Sequence, residues 1–407
     1  MQSYINQKTP GIRTRDGDIK VFPTLLLTFY IIAAAVFSSV TLLSGNVITS
    51  EYLSLLLSVA MPIVGIAICT KLTAGIKPLV PYCIITAIIL LMGADIRVSS
   101  AIAVLMLLFT ASAYLMRNKF WWLSVLAAAG TFAIAYVLTE SLLLCLASIV
   151  FLPVSLALYL SFEKKMQRVG AVCAMSTTLG IAIILLFLAF IYKTEGAVSF
   201  DILRSFFDAL KSELIVTVTN ALVLASEQLE AGISTPDALE ITTSAVTLIF
   251  NLLPAVLTVL LFIVSYVTHS LYISVISHTV DDNKEIIHAI SFKMSVTSAI
   301  LFLVAFFVAL ILDYEGEGMY AAAAQNIYMM LFPGLSLITF GFFGSLTKKK
   351  GASCLTSLIY FAIFGLVLFI PRIAAEIAAA VISISAFVGA VLVIISAIKS
   401  KTNNNRK

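Results

Sequence analysis

Apolar runs of membrane-spanning length dominate this sequence and restrict the folds that it can adopt. A helix needs about 20 apolar residues to cross the hydrocarbon core of a bilayer, and such runs follow one another from Val21 to Ile398. The chain is 61% hydrophobic and 11% charged, whereas a soluble domain is about 45–50% apolar and about a quarter charged. Backbone groups in lipid are satisfied only in helices or closed barrels, and these runs do not alternate. The sequence therefore predicts an all-α, polytopic membrane helix bundle.

One long polar stretch, Lys193–Thr242, interrupts the apolar pattern and carries eleven charged side chains. It divides the chain into a predicted block of seven spans over residues 21–192 and a block of five over residues 243–398. Residues 1–20 form a polar lead and residues 399–407 a polar tail. The twelve predicted spans are Val21–Leu43, Leu53–Cys69, Val80–Met92, Ser99–Met116, Phe120–Leu138, Ser141–Leu160, Gly170–Tyr192, Thr243–Tyr272, Phe292–Leu312, Met319–Leu346, Cys354–Ile370 and Ile373–Ile398.

The distribution of basic residues predicts the orientation of these spans. Lys and Arg are enriched on the cytoplasmic side of membrane proteins. If both termini lie on one side, 20 of the 25 basic residues share that side with the termini. We therefore expect a multi-pass protein of the bacterial plasma membrane with both termini in the cytoplasm. The polar stretch then lies outside, where 15 of the 21 acidic residues also lie.

Within the polar stretch, residues 193–242, the pattern predicts an amphipathic extracytoplasmic helix between spans seven and eight. Leu203, Phe206, Phe207, Leu210 and Leu214 recur at three- and four-residue intervals, as on one face of a helix. Charged side chains, including an i,i+4 pair of Arg204 and Asp208, occupy the other face. The apolar stretch Val216–Leu229 continues this helix or begins another.

Gly232 is a helix-ending residue, and Thr235-Pro236 is expected to supply the cap and first-turn proline of the next helix. The amphipathic helix either lies flat on the outer interface or covers the mouth of the bundle as a lid. A third interpretation is a surface that docks a partner.

No pattern of catalytic or metal-binding residues emerges. The five cysteines are scattered singly, and the sequence has no paired-cysteine metal spacing. His269, His278 and His288 are nine and ten residues apart, so on one helix they would point in different directions. We therefore expect a non-enzymatic protein without a cofactor, without a bound metal and without nucleic acid as a partner.

Neutral polar residues beside prolines are the best candidates for a substrate site. Pro62, Pro153, Pro254 and Pro333 lie inside predicted spans, and kinked or broken helices line the binding sites of many transporters. The candidate substrate-binding residues are Asn251, Pro254, Gln325, Asn326 and Pro333. The same amides can instead act as hydrogen bonds that join helices, each worth around 1 kcal/mol.

Two pairs of opposite charges are candidate gating or ion pairs. Asp95 and Arg97 lie in a short predicted outer turn, and Arg372 and Glu376 are spaced i,i+4 at the start of span twelve. Both pairs can equally face lipid headgroups at the interface. The spans otherwise hold almost no ionisable residue, which argues against a proton pump with an acidic relay.

The segments Leu252–Ser265 and Asn326–Gly351, and more loosely Met61–Leu79, resemble the YybS-like family of uncharacterised bacterial multi-pass membrane proteins. That family is distantly similar to the S components of energy-coupling-factor vitamin transporters. The resemblance implies a small-solute binding or transport component in the lipid bilayer, with an unidentified small-molecule ligand and an ATPase-coupled membrane module as partner. The chain departs from it in having about twelve spans, whereas an S component has six.

Two alternatives to a solute-binding component stay open from the sequence. One is a stand-alone secondary transporter or lipid flippase, although the seven-plus-five division contains no internal repeat. The other is a membrane assembly or scaffold protein without transport activity. Deleting Ser199–Gly232 would separate them, since only the scaffold should lose partner binding.

Overall fold

The computed structural model describes residues 21–44, 51–73, 96–228, 234–277, 289, 292–314, 318–349 and 371–404. Within these residues the chain forms thirteen helices and no strand, in agreement with the predicted all-α class. In chain order they are α1 (Val21–Ser44), α2 (Glu51–Thr73), α3 (Ile96–Arg117), α4 (Trp121–Thr139), α5 (Leu142–Ser148), α6 (Phe151–Glu163), α7 (Arg168–Glu195), α8 (Phe200–Gln228), α9 (Thr235–Asn251), α10 (Leu253–Ser277), α11 (Val296–Tyr314), α12 (Gly318–Lys349) and α13 (Pro371–Asn404).

Several of these helices have the length and composition of membrane spans. Seven described segments qualify: Thr24–Leu43, Ile96–Arg117, Trp121–Thr139, Leu142–Glu163, Arg168–Glu195, Leu253–Ile276 and Tyr320–Thr339. Three shorter apolar segments, Leu55–Thr70, Val296–Leu312 and Ser383–Lys399, coincide with predicted spans two, nine and twelve. Predicted spans three and eleven lie outside the described residues, so the count of twelve stays a prediction.

The four prolines inside predicted spans have two different structural roles. Pro62 and Pro333 lie within the continuous helices α2 and α12. Pro153 and Pro254 lie in the first turns of α6 and α10, directly after a break in the chain of helical residues. A proline in a first turn forfeits no helical hydrogen bond, because the first N–H groups of a helix have no intrahelical acceptor. The predicted sixth and eighth spans are therefore each divided into two helices.

The chain divides into two compact units. The first comprises residues 1–186, 261–293 and 344–380, and the second comprises residues 187–260, 294–343 and 381–407. In the first unit α3 is the central helix, packed against α1, α2 and α6. Ser100 donates to the carbonyl of Ser58 in α2 at 2.5 Å, and Ser38 in α1 donates to the carbonyl of Ala101 at 3.4 Å. Small residues thus allow close approach and add hydrogen bonds, as is typical of helix contacts in membranes.

The second unit has a smaller core, formed by α11, α12 and α13. Its buried residues are Ala299, Phe302, Leu335, Ala386 and Ala390. Thr339 in α12 donates a hydrogen bond of 2.6 Å to the carbonyl of Ser385 in α13. The small side chains of α13 again bring two helices into direct backbone proximity.

Helix α8 corresponds to the predicted amphipathic helix and belongs to the second unit. It runs unbroken for 29 residues, so the stretch from Val216 extends this helix rather than beginning another. Phe206 and Phe207 lie with their ring centroids 5.6 Å from that of Phe187 in α7. On the opposite face, Arg204 and Asp208 approach to 3.9 Å and are largely exposed. Leu203, Phe206 and Phe207 of the predicted apolar face are half-buried, whereas Leu210 and Leu214 are exposed. The extracytoplasmic location of α8 stays a prediction.

Helix α9 begins after a different cap from the predicted one. Ser234 is the N-cap, with extended backbone angles of φ −71° and ψ 153°, and its hydroxyl accepts the backbone N–H of Asp237 at 3.4 Å. Thr235 and Pro236 are the first two helical residues. The prediction of Thr235 as the cap is therefore wrong by one residue. An N-cap residue has non-helical, extended backbone angles, whereas Thr235 is already the first residue of the helix.

Candidate functional site

The hydrogen-bond ladder is interrupted where α9 ends and α10 begins. In a continuous α-helix the N–H of Ala255 would donate to the carbonyl of Asn251. Here that N–H donates to Oδ1 of Asn326 at 3.0 Å, and the Asn251 carbonyl accepts from Nδ2 of Asn326 at 2.7 Å. The carboxamide of Asn326 therefore replaces one helical hydrogen bond with two bonds to a different helix.

Local chemistry explains why the helix opens at this point. Pro254 has no N–H, and its ring would clash with the carbonyl of Phe250 in a regular helix. Leu252, between the two helices, adopts φ −95° and ψ 1°, outside the usual helical values. Insertion of a side chain into the ladder is a recognised cause of a kink. The proline opens the ladder, and Asn326 satisfies the two backbone groups that are left.

The amide of Asn326 is held in a single orientation. Its Nδ2 also donates to the carbonyl of Ala322, one turn earlier in α12, at 2.9 Å. Both amide hydrogens are thus used, whereas Oδ1 keeps a second lone pair. The side chain is half-buried. This arrangement joins α12 to the α9–α10 break and leaves one acceptor position.

The structure brings three of the five candidate substrate residues together. Asn251, Pro254 and Asn326 meet at the break, with Asn251 contributing its backbone carbonyl while its side chain is exposed. Gln325 is half-buried beside Asn326 in sequence, and its side chain forms no hydrogen bond with any described residue. Pro333 lies seven residues along α12, about 10 Å away by helical rise. Pro333 is therefore apart from the cluster.

The first unit contains a break that is satisfied differently. Between α5 and α6, the N–H groups of Ile149, Val150 and Leu152 each donate to the carbonyl three residues earlier, at 3.0–3.4 Å. These are local bonds of the type that closes a tight turn. The break before Pro153 is thus closed locally, whereas the break before Pro254 takes its partner from another helix.

The remaining sequence candidates are located only in part. Arg97 lies in the first turn of α3 and is half-buried, whereas Asp95 is outside the described residues. Arg372 and Glu376 lie in the first turns of α13, and their side chains are outside the description. His269 is buried in α10. In the part of the chain that the structure describes, no group of three His, Cys, Asp or Glu residues could hold a metal ion.

Sequence reasoning missed the backbone groups that complete the cluster. The N–H of Ala255 and the carbonyl of Asn251 are the groups that Asn326 binds. Backbone groups cannot be recognised as binding groups from the amino-acid sequence. The available signal was Pro254, whose missing N–H indicates a disturbed ladder. Nothing in the local sequence indicates a partner 71 residues away.

A protein-family model described as "Predicted membrane protein (DUF2232)" matches residues 83–380 of the chain. No curated protein and no solved structure matches the chain significantly. The family match agrees with the membrane-length apolar helices and with the expectation of an uncharacterised membrane protein family. The narrower similarity to YybS-like proteins and to S components stays a hypothesis.

Proposed function

Since the chain belongs to the predicted membrane protein family DUF2232, we propose that it is a non-enzymatic protein of the bacterial plasma membrane that binds or carries a small solute. The solute would bind beside the break between α9 and α10 in the second unit. A stand-alone carrier and a component that delivers its solute to another module both fit this proposal.

The observation that carries the proposal is the insertion of Asn326 into the α9–α10 ladder. Broken membrane helices place unpaired backbone groups and a helix N-terminus inside the membrane, and transporters use such breaks to bind solutes. At this break the N-terminus of α10 and the free lone pair of Asn326 Oδ1 lie near the backbone carbonyl of Asn251, whose side chain is exposed. A solute that donates a hydrogen bond has an acceptor there.

The same break supplies a means of changing shape. If Asn326 moved away, the N–H of Ala255 and the carbonyl of Asn251 would be free to bond to each other as in a regular helix. This change would break the two hydrogen bonds of Asn326 to the break and form one hydrogen bond within the helix. Each interhelical hydrogen bond contributes about 1 kcal/mol in a membrane. A solute that binds one of the two conformations more tightly can supply a free-energy difference of this size.

The test compares solute binding by the purified full-length chain and two matched variants. Mass spectrometry of the wild-type protein identifies the small molecule that copurifies, and its binding is then measured to Asn326→Ala and Asn220→Ala. Asn220 is an exposed residue of α8 in the same unit, so its change controls for the loss of an amide. We expect about tenfold weaker binding for Asn326→Ala, since one lost hydrogen bond of about 1.4 kcal/mol has this effect. Binding that is equal in all three proteins, or no bound solute at all, would refute the proposal.

The S-component form of the proposal has its own test. It requires an ATPase-coupled membrane module as partner, so an affinity-tagged chain extracted in mild detergent should copurify with an ATPase and a membrane coupling subunit. Solute binding without such partners would favour the stand-alone carrier.

A further inference from the structure

Ionisable and hydroxyl-bearing side chains of three helices converge at one end of the first unit. Tyr114 and Arg117 come from the last turns of α3, Tyr159 and Glu163 from the end of α6, and Tyr272 from α10. The guanidinium carbon of Arg117 lies 4.7 Å from the ring centroid of Phe162. That ring in turn contacts Tyr272 edge-on, with centroids 6.0 Å apart. Phe162 thus lies between the Arg117 guanidinium and the ring of Tyr272.

Two hydrogen-bond donors in this cluster have no partner among the residues that the structure describes. They are Nη1 of Arg117 and the hydroxyl of Tyr272, both enclosed, and the Tyr272 side chain is 0% exposed. Leaving a buried donor unsatisfied costs about 1–3 kcal/mol, and more for a charged group. Arg117 also forms no ion pair with a described carboxylate. Arg168, at the same end, donates from Nη2 to the hydroxyl of Ser270, while its Nε has no partner among the described residues.

The surroundings of the cluster have the composition of a membrane–water interface. Helices α3 and α6 end in equivalent turns, in which Lys119 and Lys165 adopt the left-handed conformation with φ 65° and 53°. In each turn the next N–H donates to the carbonyl five residues earlier at 3.0 Å, as in the Schellman motif. Both lysines are exposed. Trp121 and Trp122, which follow Lys119 and Phe120, are 64% and 52% exposed, as expected of aromatic residues at headgroup depth.

From these features we propose that Arg117 and Tyr272 form a binding site for a phosphate group, supplied by an anionic phospholipid. A guanidinium group is suited to phosphate oxygens because it presents several N–H donors in a fixed plane. The Tyr272 hydroxyl adds a neutral donor, and the exposed lysines attract anionic headgroups to the same end of the unit. Glu163, which follows Phe162 at the end of α6, is exposed.

The experiment measures the thermal unfolding of the purified, delipidated full-length chain in detergent micelles. Phosphatidylglycerol or phosphatidylcholine is added at matched mole fractions, and inorganic phosphate is added in a separate arm. We expect phosphatidylglycerol to raise the unfolding temperature, and phosphatidylcholine, whose phosphate is paired with a choline cation, to raise it much less. A rise with inorganic phosphate alone would support the phosphate site and assign its source to a soluble phosphate. No rise in either anionic arm would overturn the proposal.

Three variants distinguish lipid binding at this site from a general attraction of anionic lipid to the charged surface. Arg117→Gln should need at least about tenfold more phosphatidylglycerol for half of the rise, because it removes charged hydrogen bonds to the phosphate. Lys165→Gln removes the same charge from the exposed turn and should keep most of the response. Tyr272→Phe should leave stability without anionic lipid unchanged or higher, because its hydroxyl is unsatisfied, while weakening the lipid response. Equal losses in Arg117→Gln and Lys165→Gln, or an unaltered response in Tyr272→Phe, would contradict the proposed site.

Discussion

Gly389 in α13 permits the close contact between α12 and α13 because it has no side chain. A Cβ atom at Gly389 would clash with the backbone carbonyl oxygen of Leu335 and lie 3.0 Å from Oγ1 of Thr339. Backbone atoms cannot move aside as a flexible side chain can. We therefore predict that Gly389→Ala lowers the free energy of unfolding by about 1–3 kcal/mol, the usual cost of overpacking. Thermal or denaturant unfolding in detergent measures this change.

Gly341 provides the matched control within α12. It is exposed, and a Cβ atom there would meet no atom within 4 Å. Because alanine favours a helix over glycine by about 0.5–1 kcal/mol, Gly341→Ala should leave stability unchanged or raise it slightly. If both substitutions destabilised the protein equally, close helix approach would not be the explanation for Gly389.

The candidate site shows how far residue-level prediction reaches in this chain. Asn251, Pro254 and Asn326 were candidates because neutral amides beside a proline that kinks a helix can line a binding site, and the structure places them in one cluster. The sequence also suggested that such amides join helices, which is the contact that Asn326 makes. It could not predict which backbone groups Asn326 binds, because this depends on how α12 packs against a break 71 residues earlier.

At the scale of elements, the aromatic contacts between α7 and α8 hold the amphipathic helix in place. Phe187 and Phe190 of α7 both contact Phe206 of α8, and Phe187 also contacts Phe207. Aromatic pairs contribute about 0.5–1.5 kcal/mol each beyond the area that they bury. The double substitution Phe206→Ala, Phe207→Ala should therefore loosen the N-terminal half of α8. We predict roughly tenfold faster amide exchange there, measured by hydrogen–deuterium exchange.

Phe200→Ala is the control for this loss of aromatic surface. Phe200 begins α8 but is 80% exposed, so its removal should leave the exchange rates of α8 nearly unchanged. Equal acceleration in both variants would mean that helix propensity, rather than the contact with α7, governs the order of α8.

Element boundaries show which parts of the fold were predictable. The long helices follow directly from hydropathy, and the two faces of α8 follow from the period of its apolar residues. The helix breaks after Ser148 and Asn251 were harder to predict from the sequence. A proline within an apolar run is compatible with a continuous helix, as at Pro62, or with a new helix, as at Pro153. The choice depends on whether neighbouring groups satisfy the freed backbone, which is a property of packing.

At the scale of the whole molecule, the orientation of the chain in the membrane rests on the distribution of its basic residues. Helix α7 contains 28 residues and is about 42 Å long at a rise of 1.5 Å per residue. This exceeds the hydrocarbon thickness of about 30 Å. The positive-inside rule predicts that the turn before α7 lies in the cytoplasm and that helix α8, after it, lies outside.

We therefore predict that single cysteines at positions 165 and 208 are labelled from opposite sides of the membrane. The substitutions Lys165→Cys and Asp208→Cys, in a chain whose five native cysteines are replaced, are treated with a membrane-impermeant thiol reagent in intact cells and in inverted vesicles. Lys119→Cys serves as the control, because two predicted spans separate positions 119 and 165 and return the chain to the same side. Labelling of Asp208→Cys in intact cells only, and of the other two in inverted vesicles only, would support the predicted orientation. Labelling of positions 165 and 208 from one side would mean that α7 does not cross, and the predicted parity of every later span would then be wrong.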